Sequence, residues 1–256
     1  MRILLLGDVV GRPGRNAVGL FLKERSYDLV VGNGENAAGG FGITAKTAAE
    51  LREAGVDVIT TGNHVWARRD SWDFLDTEDC PVVRPANYPE DSPGRGTMFL
   101  ERNGTRVAVA NLQGRVFMPD LVGCPFRTAD DVLESCGADV VIVDFHAEAT
   151  SEKEALGMYL DGRVTVLAGT HTHVQTADCQ VLPGGTAYVT DLGMCGSSDG
   201  IIGMSGEAVV SRFLSAVPVR LKVDHGRMVV RGMEVELDGD LNVSSVKAVD
   251  ERIGEE

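Results

Sequence analysis

The sequence predicts an α/β fold whose second half is mixed and partly antiparallel. Two patterns carry this reading. Short, wholly apolar runs alternate with helix-like stretches through residues 1–75, and residues 218–236 turn β-rich around Asp224-His225-Gly226. Short apolar strands separated by helices are what a parallel sheet covered on both faces requires. Of the 256 residues, 43% are hydrophobic and 24% charged, enough apolar content to bury a core and too much for a disordered chain.

The first strand spans 2–6 and ends in Gly7-Asp8. Residues 14–23 follow with helical spacing through Val18 and Leu22, then a buried strand at 29–31 and a helix over 44–54 with Thr44 as its N-cap. A third strand at 56–60 precedes a helix at 67–75. Further strands are predicted at 81–84, 97–100, 106–110, 139–144 and 163–167, with helices at 130–136 and 152–160. Residues 218–223 and 227–236 flank 224–226 as a hairpin would, and the charged tail from Asp250 is expected to fray. No repeat or low-complexity linker interrupts the chain, so residues 1–256 are read as one domain.

Charge narrows the function. Lys and Arg number 24 against 38 Asp and Glu, a net −14. That argues against a general nucleic-acid coat, whose affinity rests on a basic surface. It leaves room for a small nucleotide or an RNA end held at one local positive site. The apolar run 3–6 is too short for a signal-peptide core, and nothing later approaches the roughly 18 apolar residues of a membrane span. Five cysteines (Cys80, Cys124, Cys136, Cys179 and Cys195) include no C-x-x-C pair. Free thiols in a reducing cytoplasm fit better than a disulfide scaffold or a zinc ribbon.

Four of the five histidines fall in one kind of place. His64 follows the 56–60 strand through Gly62-Asn63, His146 follows 139–144, and His171 and His173 follow 163–167. Each lies past the C-terminal end of a predicted strand, the edge at which open α/β sheets bind ligands. Asp8 and Glu35-Asn36 stand at the same edge. One such histidine is ordinarily structural, but the whole set converging there is not explained that way. Imidazoles with carboxylates suit Zn, Fe, Mn or Ni. So many candidate ligands exceed the need of one tetrahedral ion, which points to two ions sharing a carboxylate.

Gly7-Asp8, Gly62-Asn63-His64, His146 and Gly169-Thr170-His171-Thr172-His173 resemble the ordered motifs of the calcineurin-like metallophosphoesterases. The closer resemblance is to the YmdB-like branch. It runs over nearly the whole chain, through Gly7-Asp8-Val9-Val10-Gly11, Gly32-Asn33-Gly34-Glu35-Asn36 and Arg84-Pro85-Ala86-Asn87. The resemblance implies a four-layer α/β/β/α sandwich with mixed sheets and a binuclear phosphodiesterase, the expected substrates of that branch being 2′,3′-cyclic nucleotides. It assigns Asp8, Glu35, Asn36 and His173 to one ion. Glu35 bridges to a second ion held by Asn63, His146 and His171. His64 stands outside the ligand set, beside the substrate phosphate.

Two positions depart from the common superfamily pattern and agree with the YmdB-like branch. The usual Asp-x-His is Asp8-Val9-Val10, and Glu35 replaces the bridging Asp. The Asn36 carbonyl oxygen is the expected replacement for the missing imidazole. The ions are therefore expected to be divalent or mixed-valence, Fe or Mn ahead of Zn.

The chemistry is coherent with that assignment. Two divalent cations offset by Asp8, Glu35 and a bridging hydroxide leave a positive centre, which attracts an anionic diester to an acidic protein. Metal binding makes hydroxide available near neutral pH. His64 is the expected general acid for the leaving alkoxide. Arg12, at the start of the first helix, and Arg84 and Asn87 are candidate substrate contacts or loop braces. Gly32 to Gly42 lacks a Gly-Lys-Ser/Thr, so it is not a P-loop.

Other readings fit parts of the same sequence. Gly196-Ser197-Ser198-Asp199-Gly200 matches G-x-S-x-G, which needs a strand, a sharp turn and an immediate helix, and the only later histidine is His225. A broad phosphomonoesterase or nucleotidase would use the same ions. A metal-stabilised nucleotide- or RNA-binding regulator would keep the ligands but not need His64. An RNA-linked role and homo-oligomer formation are open, and no membrane partner is expected.

Overall fold

Alternation within the first strand sets the layering. In the computed structural model, which describes residues 1–254, Ile3 and Leu5 of β1 (Arg2–Leu6) lie in the apolar layer between two sheets, while Leu4 and Leu6 face helices. Side chains on a strand point alternately to its two faces, so a strand apolar at every position belongs between two covers.

After β1 come β2 (Asp8–Val9), α1 (Gly11–Leu22), β3 (Leu29–Asn33), α2 (Ala45–Glu53), β4 (Val58–Thr60), α3 (Trp72–Leu75) and β5 (Val82–Val83). The middle of the chain supplies β6 (Thr97–Arg102), β7 (Thr105–Gln113), α4 (Pro125–Cys136), β8 (Val140–His146), α5 (Thr150–Leu160) and β9 (Val166–Thr170). Then follow β10 (Gln180–Val181), β11 (Ala187–Val189), β12 (Met194–Ser197), α6 (Gly206–Ser215), β13 (Met228–Leu237) and β14 (Val243–Ile253).

One sheet runs β2-β12-β13-β1-β3-β4-β5, with β14 also on β13; the other runs β10-β11-β9-β8-β7-β6. Neighbours β1, β3, β4 and β5 are parallel, as are β7, β8, β9 and β11. Ile3, Leu29, Val31, Val109, Ile142 and Val166 fill the space between the sheets. Phe21 and Leu51 of α1 and α2 cover the outer face of the first sheet, and Ala129 and Leu156 of α4 and α5 that of the second. The expected α/β/β/α sandwich with mixed sheets is the architecture observed. Among the described residues, no helix is long and apolar enough to cross a membrane.

Thr44 caps α2 as expected: its hydroxyl accepts from the Thr47 N–H at 3.2 Å, and Thr47 Oγ1 accepts from the Thr44 N–H at 3.0 Å.

Three expectations need correction. The helix predicted over 67–75 is broken into two 3₁₀ turns, Val65–Ala67 and Arg69–Ser71, before the short α3. Arg68 between them is extended, and its guanidinium is tied to the Phe41 and Ala38 carbonyls. Residues 218–223 form no strand and no hairpin: beyond the single bridge from Val223 to Met204 they carry no ladder, and β13 pairs with β1, β12 and β14 instead. The tail from Asp250 is the end of β14, in register with β13 through Ile253, where Arg231 pairs with Asp250 at 3.0 Å.

The parallel strands explain the site. The C-terminal ends of β1, β3, β4, β8 and β9 deliver Asp8, Glu35, Asn63 with His64, His146 and His171 to one rim.

Candidate metal centre

His146 ends β8 with its ring fully buried. Its Nδ1 lies 2.9 Å from Thr170 Oγ1, and the Thr170 hydroxyl donates to Asp144 Oδ1 at 2.7 Å. With that hydroxyl proton committed, Thr170 accepts from the His146 Nδ1–H, which leaves Nε2 as the nitrogen facing the rim. Asp144 also receives the Thr60 hydroxyl and the Asn33 amide. Asp144 and His146 are two apart on a strand and so share a face.

Around His146 Nε2 stand three ligand-type atoms: Glu35 Oε1 at 3.1 Å, Asn63 Oδ1 at 3.1 Å and His171 Nδ1 at 3.0 Å. One ring nitrogen has at most one hydrogen to share among them. Ligands bound at about 2.1 Å to one cation lie roughly 3.0–3.4 Å apart. The crowding therefore fits a common cation better than a hydrogen-bond network. The His171 Nε2, on the far side of its ring, lies 3.0 Å from Glu148 Oε2, the carboxylate–imidazole arrangement that orients a metal-bound histidine.

A second set of donors lies beside the first. Asp8 is fully buried; its Oδ2 accepts the His171 N–H at 3.0 Å, while Oδ1 has no hydrogen-bond partner. Asn36 donates its amide to the Gly40 carbonyl at 2.8 Å, which leaves its buried Oδ1 without a partner too. His173 points Nδ1 at the Ile202 carbonyl, 2.9 Å away, and its Nε2 lies 3.8 Å from Asp8 Oδ1. Buried oxygens left without hydrogen bonds are costly unless something pairs them. A divalent cation between Asp8, Asn36, His173 and Glu35 would do so.

The side chains tune one another. Burial opposes ionisation of Glu35, but His146 and His64 hold its carboxyl well below the usual range. Burial likewise works against a charged His146, yet Glu35, Asp8 and Asp144 outweigh it and push that imidazole up to about 9. Burial and then the neighbouring His146 push His171 down to about 3, which keeps its lone pair free. Burial raises Asp8 to about 6 in spite of His173 and His146.

Glycine at 62 is required by this packing. A Cβ there would lie 2.1 Å from His146 Cδ2, so any side chain would displace the ring.

His64 sits at the mouth, its side chain 31% exposed. Its backbone N–H donates to Glu35 Oε2 at 3.1 Å and its Nδ1 lies 2.9 Å from Glu35 Oε1. Phe41 packs edge-on against its ring at 5.0 Å.

The three candidate substrate contacts fare differently. Arg12 is exposed on the first turn of α1. Arg84 is buried and donates to the Pro85 and Ser92 carbonyls. Asn87 spends its amide on the Gln113 and Gly123 carbonyls and accepts the Gln113 N–H. Arg84 and Asn87 brace loops. Ser198 follows β12 into a bend rather than a helix and donates to the Arg227 carbonyl, and His225 is exposed, so no serine-hydrolase elbow forms.

Sequence reasoning missed Asp144 and Glu148, which brace the rim: Asp144 through the Thr170 hydroxyl beside His146, and Glu148 at His171 Nε2. Asp144 carried a signal, its two-residue spacing from His146 within one strand. Thr170, inside the Gly-Thr-His-Thr-His segment, was in view without its role.

A two-sheet α/β sandwich with a His, Asn and carboxylate cluster at its strand ends defines the metallophosphoesterase class, whose members work with divalent metals. A family model described as YmdB-like protein matches residues 4–249, and the chain belongs to that family. It is 48% identical over 246 residues to the 2′,3′-cyclic-nucleotide 2′-phosphodiesterase of Bacillus subtilis strain 168, covering 93% of this chain and 92% of that one. A hypothetical protein of Thermus thermophilus has a similar solved structure, with TM-score 0.93, 44% identity and coverage of 98% and 99%. A novel phosphatase from Mycoplasma pneumoniae superimposes with TM-score 0.91 at 34% identity, covering 98% of this chain and 93% of that chain.

Proposed function

We propose that this chain, as one catalytic unit over residues 1–256, is a metal-dependent phosphodiesterase acting on 2′,3′-cyclic nucleotides. The observation that carries the reading is the approach of Glu35, Asn63 and His171 to within 3.1 Å of one buried histidine nitrogen. The name of the Bacillus subtilis relative supports the substrate class.

Asp8, Glu35, Asn36 and His173 would hold one cation; Glu35, Asn63, His146 and His171 would hold another. Bound divalent cations supply Lewis-acid charge to a phosphate and lower the pKa of a coordinated water toward roughly 7. The mixed nitrogen and oxygen donors suit Fe, Mn or Zn, and the oxygen-richer first set favours Fe or Mn.

The remaining steps belong to the chain's own residues. Glu35 accepts from His64 Nδ1–H, so a His64 protonated on both nitrogens presents its Nε2–H to the leaving ribose oxygen and returns to the neutral ring when that proton is given up. Asp8, Glu35 and His146 are themselves buried, which strengthens the charge interactions among them. Five free cysteines fit a reducing, cytoplasmic setting.

A substrate panel on protein of measured metal content tests the proposal. Multiple turnover of 2′,3′-cyclic nucleotides and bis-p-nitrophenyl phosphate, abolished by chelator, is the expected result. Turnover of monoesters alone would make the chain a phosphomonoesterase, and tight nucleotide binding without turnover would make it a binding protein.

A further inference from the structure

Behind the rim lies a buried ion pair with no part in the chemistry above. Lys153 Nζ and Asp191 Oδ2 are 2.7 Å apart, and each side chain is only 1% exposed. Desolvating two charges in a core is costly unless the geometry brings other bonds with it. Here it does, and all of the bonds lead to the metal-centre loops.

Asp191 Oδ2 accepts the Thr172 N–H at 3.1 Å and the Thr172 hydroxyl at 2.8 Å. Thr172 is the residue between His171 and His173, both of which have positive φ, +103° and +64°. A left-handed backbone is unfavourable for a histidine and persists where the surroundings hold it. The other oxygen, Oδ1, accepts the Gly193 N–H at 2.8 Å, and the Gly193 carbonyl accepts the Asp8 N–H at 3.0 Å. One carboxylate is thus one residue away from three candidate ligands on two separate segments.

Lys153 reaches this point from the first turn of α5 across the end of β9. Gly169 leaves room for the crossing: a Cβ there would lie 3.1 Å from Lys153 Cδ and 1.8 Å from the Thr190 carbonyl oxygen.

We propose that Asp191, paired with Lys153, is a positioning residue that sets His171, His173 and Asp8 for metal binding. It touches neither substrate nor cation. It fixes the backbone on which two histidine ligands stand in a strained conformation, and it ties that backbone to the strand carrying Asp8. The inference rests on the reading of the rim as a metal centre.

The test is calorimetric titration of metal-stripped protein with Mn²⁺, alongside the melting temperature without metal. Asp191→Asn keeps the shape but removes the charge that accepts from Thr172 and meets Lys153; its Mn²⁺ affinity is expected to fall about 10–100-fold, as for other partners that orient ligands. Excess Mn²⁺ is expected to restore kcat. Leu160→Ala, in the core at the far end of α5, lowers the melting temperature with Mn²⁺ affinity within about twofold of the parent. If Asp191→Asn does not fold, Thr172→Ala removes only the hydroxyl bond and is expected to lose affinity several-fold.

Unchanged affinity in a folded Asp191→Asn, or in Thr172→Ala should that variant decide, overturns the proposal. So does an equal loss in Leu160→Ala, which would mean general softening. A parent protein that takes up none of Mn²⁺, Fe²⁺ or Zn²⁺ overturns the metal-centre reading itself.

Discussion

At the scale of single residues, the rim divides into atoms that would meet cations and atoms that aim them. His146 illustrates both: its Nδ1 side is fixed by Thr170 and Asp144, and its Nε2 side is crowded by Glu35, Asn63 and His171. Gly62→Ala is predicted to abolish metal uptake at this set while leaving the sheets intact, because the added methyl enters the His146 ring; elemental analysis of folded variant checks it. His64→Ala is predicted to retain metal and lose about 10²–10⁴-fold in kcat, the range of a positioned acid. Loss of metal from that variant would instead make His64 a ligand support.

The titration of His146 has a definite sign. Its pKa in the folded side-chain array, about 9, lies above the ordinary 6.5. The stability it contributes to metal-stripped protein is therefore full below pH 6.5 and is lost as pH rises toward 9. Denaturant melts across that interval check the fall. Cation binding near pH 7.5 must also displace this proton, so calorimetry in buffers of different ionisation enthalpy should report release of at least about one proton. Titration curves identical in all buffers would contradict it.

At the scale of elements, the parts of the fold legible in the sequence were those with a simple apolar period. β1, β3, β4, β7, β8 and β9 are short apolar runs because both faces of their sheets are covered. What was not legible depended on partners far along the chain. β14 ends in Asp250, Glu251 and Arg252, which read as a fraying charged tail, yet charges are how an outer strand stays soluble while its backbone pairs. Residues 218–223 have the converse character, strand-like locally but without a partner once β13 is taken on both sides. The candidate ligands were legible as candidates because each lies at, or within three residues past, the C-terminal end of a parallel strand at the same edge. Their supports were not, since Glu148, Lys153 and Asp191 meet the rim only through the folding of α5 and the loop after β11. Thr44→Ala is predicted to cost about 1 kcal/mol through loss of the α2 cap, with kcat unchanged; paired denaturation and rate measurements check both halves.

At the scale of the whole molecule, two sheets place acidic and imidazole side chains from distant segments at one rim of a protein with net charge −14. On the proposed reading, bound cations would reverse the sign locally and draw an anionic diester to a place the overall charge would repel it from. Core stability and chemistry are separable in this layout. Leu51→Ala, under α2 on the outer face of the first sheet, is predicted to cost about 2–5 kcal/mol and leave metal content and kcat as they are. Unfolding curves with parallel metal analysis would show whether the two are coupled.

The proposed centre shares Glu35 between two cations. Anomalous diffraction from crystals of Mn²⁺-loaded protein measures this directly. Two peaks about 3.5–4 Å apart are expected on either side of the Glu35 carboxylate, one beside Asp8, Asn36 and His173 and the other beside Asn63, His146 and His171. A single peak, or two peaks of which one lies away from Glu35, would contradict it.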